Sequence, residues 1–82
     1  MRLTFIWSET ARLDLRKIEK EQAMRILRAL AKYGATREGD VKALHGRLAS
    51  HLRLRVGNWR VEFKPVGDAI HIIQIENRGQ AY

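Results

Sequence analysis

The stretch LRLRVGNWRVEF, residues 52–63, alternates apolar and charged side chains on either side of a Gly57-Asn58 pair. Such alternation indicates β-strands, and a Gly-Asn pair between two alternating runs is typical of a two-residue hairpin turn. Folding the stretch at that turn places three apolar pairs on one face: Val56 with Trp59, Leu54 with Val61, and Leu52 with Phe63. The sequence therefore predicts an antiparallel hairpin with one face available to a core.

The opposite face of this hairpin is basic. It sets Arg55 against Arg60, with Arg53 and Lys64 close by and Glu62 as the neighbouring acid. Like charges directly opposed across two strands are destabilising. An anion would relieve that repulsion, and arginine suits phosphate because its planar guanidinium donates two parallel hydrogen bonds. The basic face is thus predicted to be an anion-binding site, although Arg53 could instead pair with Glu62 across the hairpin.

The residues before the hairpin predict one strand and two helices. Residues 2–7 (RLTFIW) read as a strand, and Ser8 as the N-cap of a helix that runs to about Ile18. A second, amphipathic helix runs from Glu19 to about Tyr33 and is ended by Gly34. Its basic side carries Arg25, Arg28 and Lys32, which reads more readily as a solvated face than as a binding surface. Residues 35–40 are expected to be loop, and residues 41–46 to lead into the sheet.

The sheet is predicted from three further strands at about 50–56, 59–65 and 70–76. For the second turn we favour a three-residue loop, Val66 to Asp68, which places Ile73 and Ile75 opposite Val61 and Trp59 in the core. The basic face then receives Gln74, Glu76 and Arg78, whereas Ile70 and Ile72 fall on the side away from the core. A two-residue loop would reverse these faces. The predicted fold is α+β, with a helical hairpin packed on one face of a small, mostly antiparallel sheet in the order β-α-α-β-β-β.

The composition limits the classes of protein to consider. Eighty-two residues, 45% hydrophobic and 30% charged, make one globular domain over residues 1–82. Sixteen Lys and Arg against nine Asp and Glu leave a net charge of +7, which favours an anionic partner. The absence of cysteine excludes a disulfide framework and a thiolate zinc site. The apolar LTFIW near the N-terminus is too short for a signal peptide or membrane span, so we expect a cytoplasmic protein with no membrane partner.

No cofactor or metal is expected, because His45, His51 and His71 do not have metal-ligand spacing.

In combination, these motifs resemble the RelE/ParE superfamily of bacterial toxins from type II toxin-antitoxin systems. The resemblance covers nearly the whole chain: the opening strand and helix pair, GDVKALHG at 39–46, LRLRVGNWRVEF, and IENRGQAY at 75–82. RelE-like members are metal-independent mRNA endonucleases that act in the ribosomal A site, where the ribose 2′-hydroxyl attacks its own phosphate. ParE-like members share the fold, inhibit DNA gyrase and lack the basic catalytic set. The resemblance implies a RelE-like fold and favours the RelE branch.

The resemblance also implies roles for individual residues. Arg60 is similar to the strand arginine that contacts the scissile phosphate, Arg78 to the family's second arginine, from the end of the last strand, and Tyr82 to the C-terminal tyrosine. His51 and Arg53 fall where some RelE proteins have lysines. The general acid and base stay open among His51, Arg53, Glu76 and Tyr82. Further RNA contacts are expected from Lys42, Arg55 and Lys64.

The sequence therefore predicts a toxin that inhibits translation as a ribosome-dependent mRNA endonuclease. Its expected partners are an acidic cognate antitoxin, the ribosome and mRNA, with operator DNA bound by the toxin-antitoxin complex through the antitoxin. Two alternatives remain: a ParE-like gyrase inhibitor, and a basic nucleic-acid-binding module without chemistry of its own.

Overall fold

The computed structural model describes residues 4–44 and 51–77. Two helices and five strands follow one another in the order β1 (Thr4–Trp7), α1 (Glu9–Lys17), α2 (Lys20–Thr36), β2 (Asp40–Ala43), β3 (Leu52–Val56), β4 (Trp59–Val66) and β5 (Ala69–Asn77). The strands form one sheet in the spatial order β1-β5-β4-β3-β2. Strand β1 pairs with β5 in parallel, and the other pairs are antiparallel. The predicted α+β fold, with a helix pair on a mostly antiparallel sheet, is confirmed.

The helices cover the apolar side of this sheet, as the alternation in the hairpin predicts. The buried side chains that join the two layers are Ala11, Ile18, Ile26, Leu30, Leu54, Val61, Phe63, Ile70, Ile72 and Ile75. Tyr33 of α2 packs edge-on against Phe63, with ring centroids 5.2 Å apart. Neither described helix is long and apolar enough to cross a membrane.

The β3–β4 hairpin has the predicted register. Gly57 and Asn58 form the turn, Val56 faces Trp59 and Arg55 faces Arg60. Gly57 has φ +60°, a left-handed conformation that glycine adopts without a steric penalty. One face of the hairpin is consequently buried against the helices, and the arginine pair lies on the other.

Strand β2 corrects the predicted element order, which has a loop at residues 35–40 and no strand between the second helix and residue 50. Asp40–Ala43 pairs antiparallel with β3, so that Val41 lies beside Leu54. Four residues with one large apolar side chain give too little alternation to distinguish an edge strand from a loop. The pairing gives β3 a partner on both sides and adds Asp40 and Lys42 to the polar face of the sheet.

The β4–β5 connection also differs from the prediction. The turn has two residues, Gly67 and Asp68, and Val66 pairs with Ala69. Ile70 and Ile72 therefore lie in the core, where the sequence reading had placed them on the opposite side. An extra residue then enters β5, because Phe63 pairs with Ile72 whereas Glu62 pairs with Gln74.

This β-bulge at Ile73 changes which side chains of β5 face the core. Beyond it, Ile75 pairs with Val61, not with Trp59 as predicted, and Gln74 and Glu76 lie on the polar face as predicted. A bulge leaves backbone groups outside the strand ladder, and α1 satisfies them. The Ser8 hydroxyl donates to the Ile73 carbonyl at 2.7 Å, and the Ile75 N–H donates to the Asp14 carboxylate at 3.0 Å.

Helix α2 continues past Gly34, which the sequence reading had taken as its end. Gly34 is buried inside the helix, and a Cβ there would lie 2.9 Å from Cζ of Phe5. The glycine thus permits the close approach of β1 rather than a left-handed C-cap. Arg37 takes the capping conformation instead, with φ +64°, and its guanidinium donates to the Gly34 carbonyl at 2.8 Å.

Candidate anion site on the polar sheet face

The polar face of the sheet arranges its charges in rows across the strands. In the first row, Asp40 of β2 lies beside Arg55, which faces Arg60, which in turn pairs with Glu76 of β5. Nη2 of Arg60 donates to Oε2 of Glu76 at 3.2 Å. The opposed arginines therefore have a carboxylate-bearing neighbour on each side, which reduces the cross-strand repulsion expected from the hairpin alone.

The second row contains Lys42, Arg53, Glu62 and Gln74. Glu62 is only 8% exposed, and two side chains bind its carboxylate. His51 Nδ1 lies 2.5 Å from Oε2, and Gln74 Nε2 donates to Oε1 at 2.8 Å. Although Arg53 is the register partner of Glu62, the carboxylate is bound by His51 and Gln74, so the predicted Arg53–Glu62 ion pair is not found.

Gln74 joins the two rows. Its amide nitrogen donates to Glu62 at 2.8 Å and to Glu76 at 2.9 Å, and Glu76 accepts from Arg60. One hydrogen-bonded chain therefore runs from His51 through Glu62, Gln74 and Glu76 to Arg60, across β3, β4 and β5. Such networks fix the rotamers of their members, since each polar atom has a defined partner.

Between these side chains lies a shallow cavity of about 150 Å³, lined by Leu44, Arg53, Arg60, Glu62, Gln74 and Glu76. Nε of Arg53 is buried there and has no hydrogen-bond acceptor among residues 4–44 and 51–77. Leaving a buried donor unpaired costs roughly 1–3 kcal/mol, and more for a charged group. An anion that entered the cavity would lie beside two arginines, Arg53 and Arg60. The same ranges contain no group of three His, Asp or Glu side chains placed to hold a metal ion.

Six of the eight residues predicted for the site lie in the described ranges. Arg53 and Arg60 line the cavity together, and His51 reaches the same network through Glu62. Arg55 and Lys42 are exposed on the same face. Lys64 lies farther along β4, opposite His71 in the strand register. Arg78 and Tyr82 lie outside the described residues.

Sequence reasoning missed the central role of Glu62 and the bridging role of Gln74. The hairpin register alone puts Glu62 on the polar face and suggests Arg53 as its partner. Its actual partners are His51, just before β3, and Gln74, beyond the bulge. The alternation of Val61, Glu62 and Phe63 places Glu62 on the polar face and carries no sign of its burial, so the sequence held no signal for these hydrogen-bond partners.

Comparison with solved structures places this fold among toxins. A RelE–RelB complex from Pyrococcus horikoshii is 26% identical, with 99% of this chain and 100% of that chain covered and a TM-score of 0.74. The RelBE2 toxin-antitoxin complex from Mycobacterium tuberculosis is 25% identical, with 95% and 100% covered and a TM-score of 0.69. A YoeB/ParE toxin from Agrobacterium tumefaciens, 15% identical, has a TM-score of 0.78 over 92% and 98% of the two chains.

No protein-family model and no curated protein sequence matches the chain. The structural neighbours nevertheless agree with the sequence resemblance, since they are RelE and YoeB/ParE toxins. The chain has the fold of the RelE-like toxins of type II toxin-antitoxin systems.

Proposed function

We propose that this protein is the toxin of a type II toxin-antitoxin system and acts as a metal-independent endoribonuclease on ribosome-bound mRNA. The observation that carries the proposal is the paired placement of Arg53 and Arg60 in one cavity, with the buried Nε of Arg53 lacking an acceptor among the described residues. A phosphate diester supplies acceptor oxygens to both guanidinium groups. The RelE-like fold makes mRNA the favoured phosphate diester.

The proposed chemistry uses the RNA, the side chains and solvent water. The 2′-oxygen forms a bond to the adjacent phosphorus and its proton passes to a base, while the bond from phosphorus to the 5′-oxygen breaks and that oxygen takes a proton from an acid. The products are a 2′,3′-cyclic phosphate and a 5′-hydroxyl. Charge rises on the phosphate oxygens in the transition state, and positioned cationic donors stabilise it.

Arg60 is suited to that role although it already has a partner. Glu76 accepts through Nη2 of Arg60, and a guanidinium carries five N–H donors, so donors remain for a phosphate. Arg53 adds a second guanidinium to the lining of the same cavity. Arg78 and Tyr82 belong to the proposal through the sequence resemblance, as a second phosphate-binding arginine and as a group for base stacking or proton transfer.

The cognate antitoxin is proposed to be acidic and to fold on binding. The net charge of +7 attracts it, and Leu13 of α1 and Met24 of α2 offer exposed apolar contacts. The neighbours from Pyrococcus horikoshii and Mycobacterium tuberculosis are toxin-antitoxin complexes. Operator DNA would be bound through the antitoxin in the assembled complex.

Expression without antitoxin tests the proposal. We expect growth arrest in which methionine incorporation stops first and DNA remains intact. Continued methionine incorporation with accumulating DNA breaks would instead establish the gyrase-inhibitor alternative. Primer extension on ribosome-bound message should then show new 5′ ends, and RNA binding without new ends would leave only the non-catalytic module.

A further inference from the structure

The His51–Glu62 contact determines which nitrogen of the imidazole carries the proton. His51 Nδ1 lies 2.5 Å from Oε2 of Glu62, and the two side chains are 19% and 10% exposed. An ionised carboxylate only accepts hydrogen bonds, so whenever the ring is neutral Nδ1 is the nitrogen that carries the proton. Nε2 is then left with a lone pair, able to take a proton.

Glu62 cannot turn away easily, because both of its oxygens are bound. Gln74 donates to Oε1 while Oε2 faces His51, and the side chain is buried within the sheet face. Gln74 reaches this place because the bulge at Ile73 returns it to the polar face. The main chain of His51 is also held, since the Leu44 N–H donates to its carbonyl at 3.0 Å.

We propose that Glu62 is a positioning residue, itself oriented by Gln74, that holds His51 in the Nδ1–H tautomer, so that Nε2 accepts the proton of the attacking 2′-hydroxyl. The inference rests on the proposed endoribonuclease function and assigns its general base. His51 takes the proton as the 2′-oxygen bonds to phosphorus, water protonates the departing 5′-oxygen, and the imidazolium returns its proton to solvent. A carboxylate that fixes the tautomer of a catalytic histidine has this effect in other hydrolases.

The substitution Glu62→Gln tests the arrangement because it should change the tautomer of His51 without removing the side chain at position 62. A glutamine has one side-chain oxygen, and that oxygen would accept the hydrogen bond that Gln74 donates. The amide NH₂ of the new residue then faces His51 and donates to Nδ1, so the ring proton moves to Nε2. Cleavage should fall by roughly 10²- to 10⁴-fold, the usual contribution of a general base, while the protein stays folded.

Two further variants distinguish this mechanism from general damage to the sheet. Gln74→Met alone leaves Glu62 a carboxylate, so the Nδ1–H tautomer of His51 should persist, but it removes the donor to Glu62 and to Glu76, so cleavage should fall. In the double variant Glu62→Gln/Gln74→Met, the amide is free to turn its oxygen to Nδ1, and cleavage should recover by about tenfold over Glu62→Gln. Damage to packing would instead make the double variant the least active.

The ¹⁵N chemical shifts of His51 give a readout independent of activity, recorded at a pH where the ring is neutral. We expect Nδ1–H in the wild type and Gln74→Met, and Nε2–H in Glu62→Gln. A wild-type ring protonated on Nε2, or undiminished cutting by Glu62→Gln, overturns the inference and leaves the proposed function intact. Failure of the wild type to cut any message refutes the proposed function and this role of His51, whereas the shifts still decide the tautomer.

Discussion

Replacing Arg60 by alanine should abolish toxicity while leaving the fold intact. Arg60 lies on the polar face, lines the cavity and is proposed to contact the scissile phosphate. Removing one preorganised donor to a developing negative charge typically costs about 10²- to 10³-fold in rate, or roughly 2.7–4 kcal/mol of transition-state stabilisation. Arg60→Ala should lose cleavage by that factor.

The stability of Arg60→Ala follows from two opposing contacts. The variant loses the hydrogen bond to Glu76, a partly exposed pair with side chains 32% and 44% exposed, worth about 0–1 kcal/mol. It also removes the repulsion from Arg55 across the hairpin, a term of roughly 0.2–1 kcal/mol. These contributions nearly cancel, so the melting temperature should stay within the roughly 4–8 °C that corresponds to 1 kcal/mol in a domain of this size.

The assay compares primer extension on ribosome-bound message for wild type, Arg60→Ala and Arg16→Ala at equal folded concentration. Arg16 is an exposed arginine of α1, so its replacement removes the same charge away from the site. Cutting should persist in Arg16→Ala and disappear in Arg60→Ala. Equal losses in both variants would mean that net charge, not position, matters. A melting temperature low enough to explain the lost activity would remove Arg60 from the mechanism.

Three further predictions concern the fold and the partner. Ser8→Ala removes both the cap of α1 and the hydroxyl bound to Ile73, and should lower the free energy of unfolding by about 1–2 kcal/mol in urea titrations, whereas Ser8→Thr, which keeps a hydroxyl, should lose less. Gly34→Ala should destabilise by roughly 1–3 kcal/mol because its Cβ meets the Phe5 ring; in a Phe5→Leu background the same substitution should lose that penalty, and an equal cost in both backgrounds would disprove the contact. Antitoxin affinity, measured by calorimetry, should weaken as salt rises, and a constant affinity from low to physiological salt would contradict an electrostatic attraction.

Local patterns were enough to predict the hairpin and the helix pair, because their determinants lie within a few residues of each other. The Gly57-Asn58 turn fixes the register between β3 and β4, and Ser8 marks the start of α1. The bulge at Ile73 was not predictable in this way. It is stabilised by Ser8 and Asp14, more than sixty residues earlier in the chain. The sequence of β5 alone does not indicate these hydrogen-bond partners.

In the candidate site, too, the features set by nearby residues were predicted and those set by distant residues were not. The placement of Arg60 opposite Arg55 follows from one turn and was correctly predicted. The acidic neighbours of this arginine pair, Asp40 and Glu76, come from β2 and β5. The hairpin considered alone therefore overstates the repulsion between the two arginines. Gly34 shows the same limit in the core, since a helix-ending glycine and a glycine required by the close approach of Phe5 look identical in sequence.

The hydrogen bond between Arg60 and Glu76 also affects the entropy of ligand binding. A free arginine side chain carries about 2 kcal/mol of rotamer entropy, which a ligand must remove when it orders the guanidinium. Glu76 already restricts Arg60, and Gln74 and Glu62 restrict Glu76 in turn. Part of this ordering therefore occurs when the protein folds rather than when the ligand arrives, and an anion that binds the remaining donors of Arg60 meets a side chain with fewer conformations to lose.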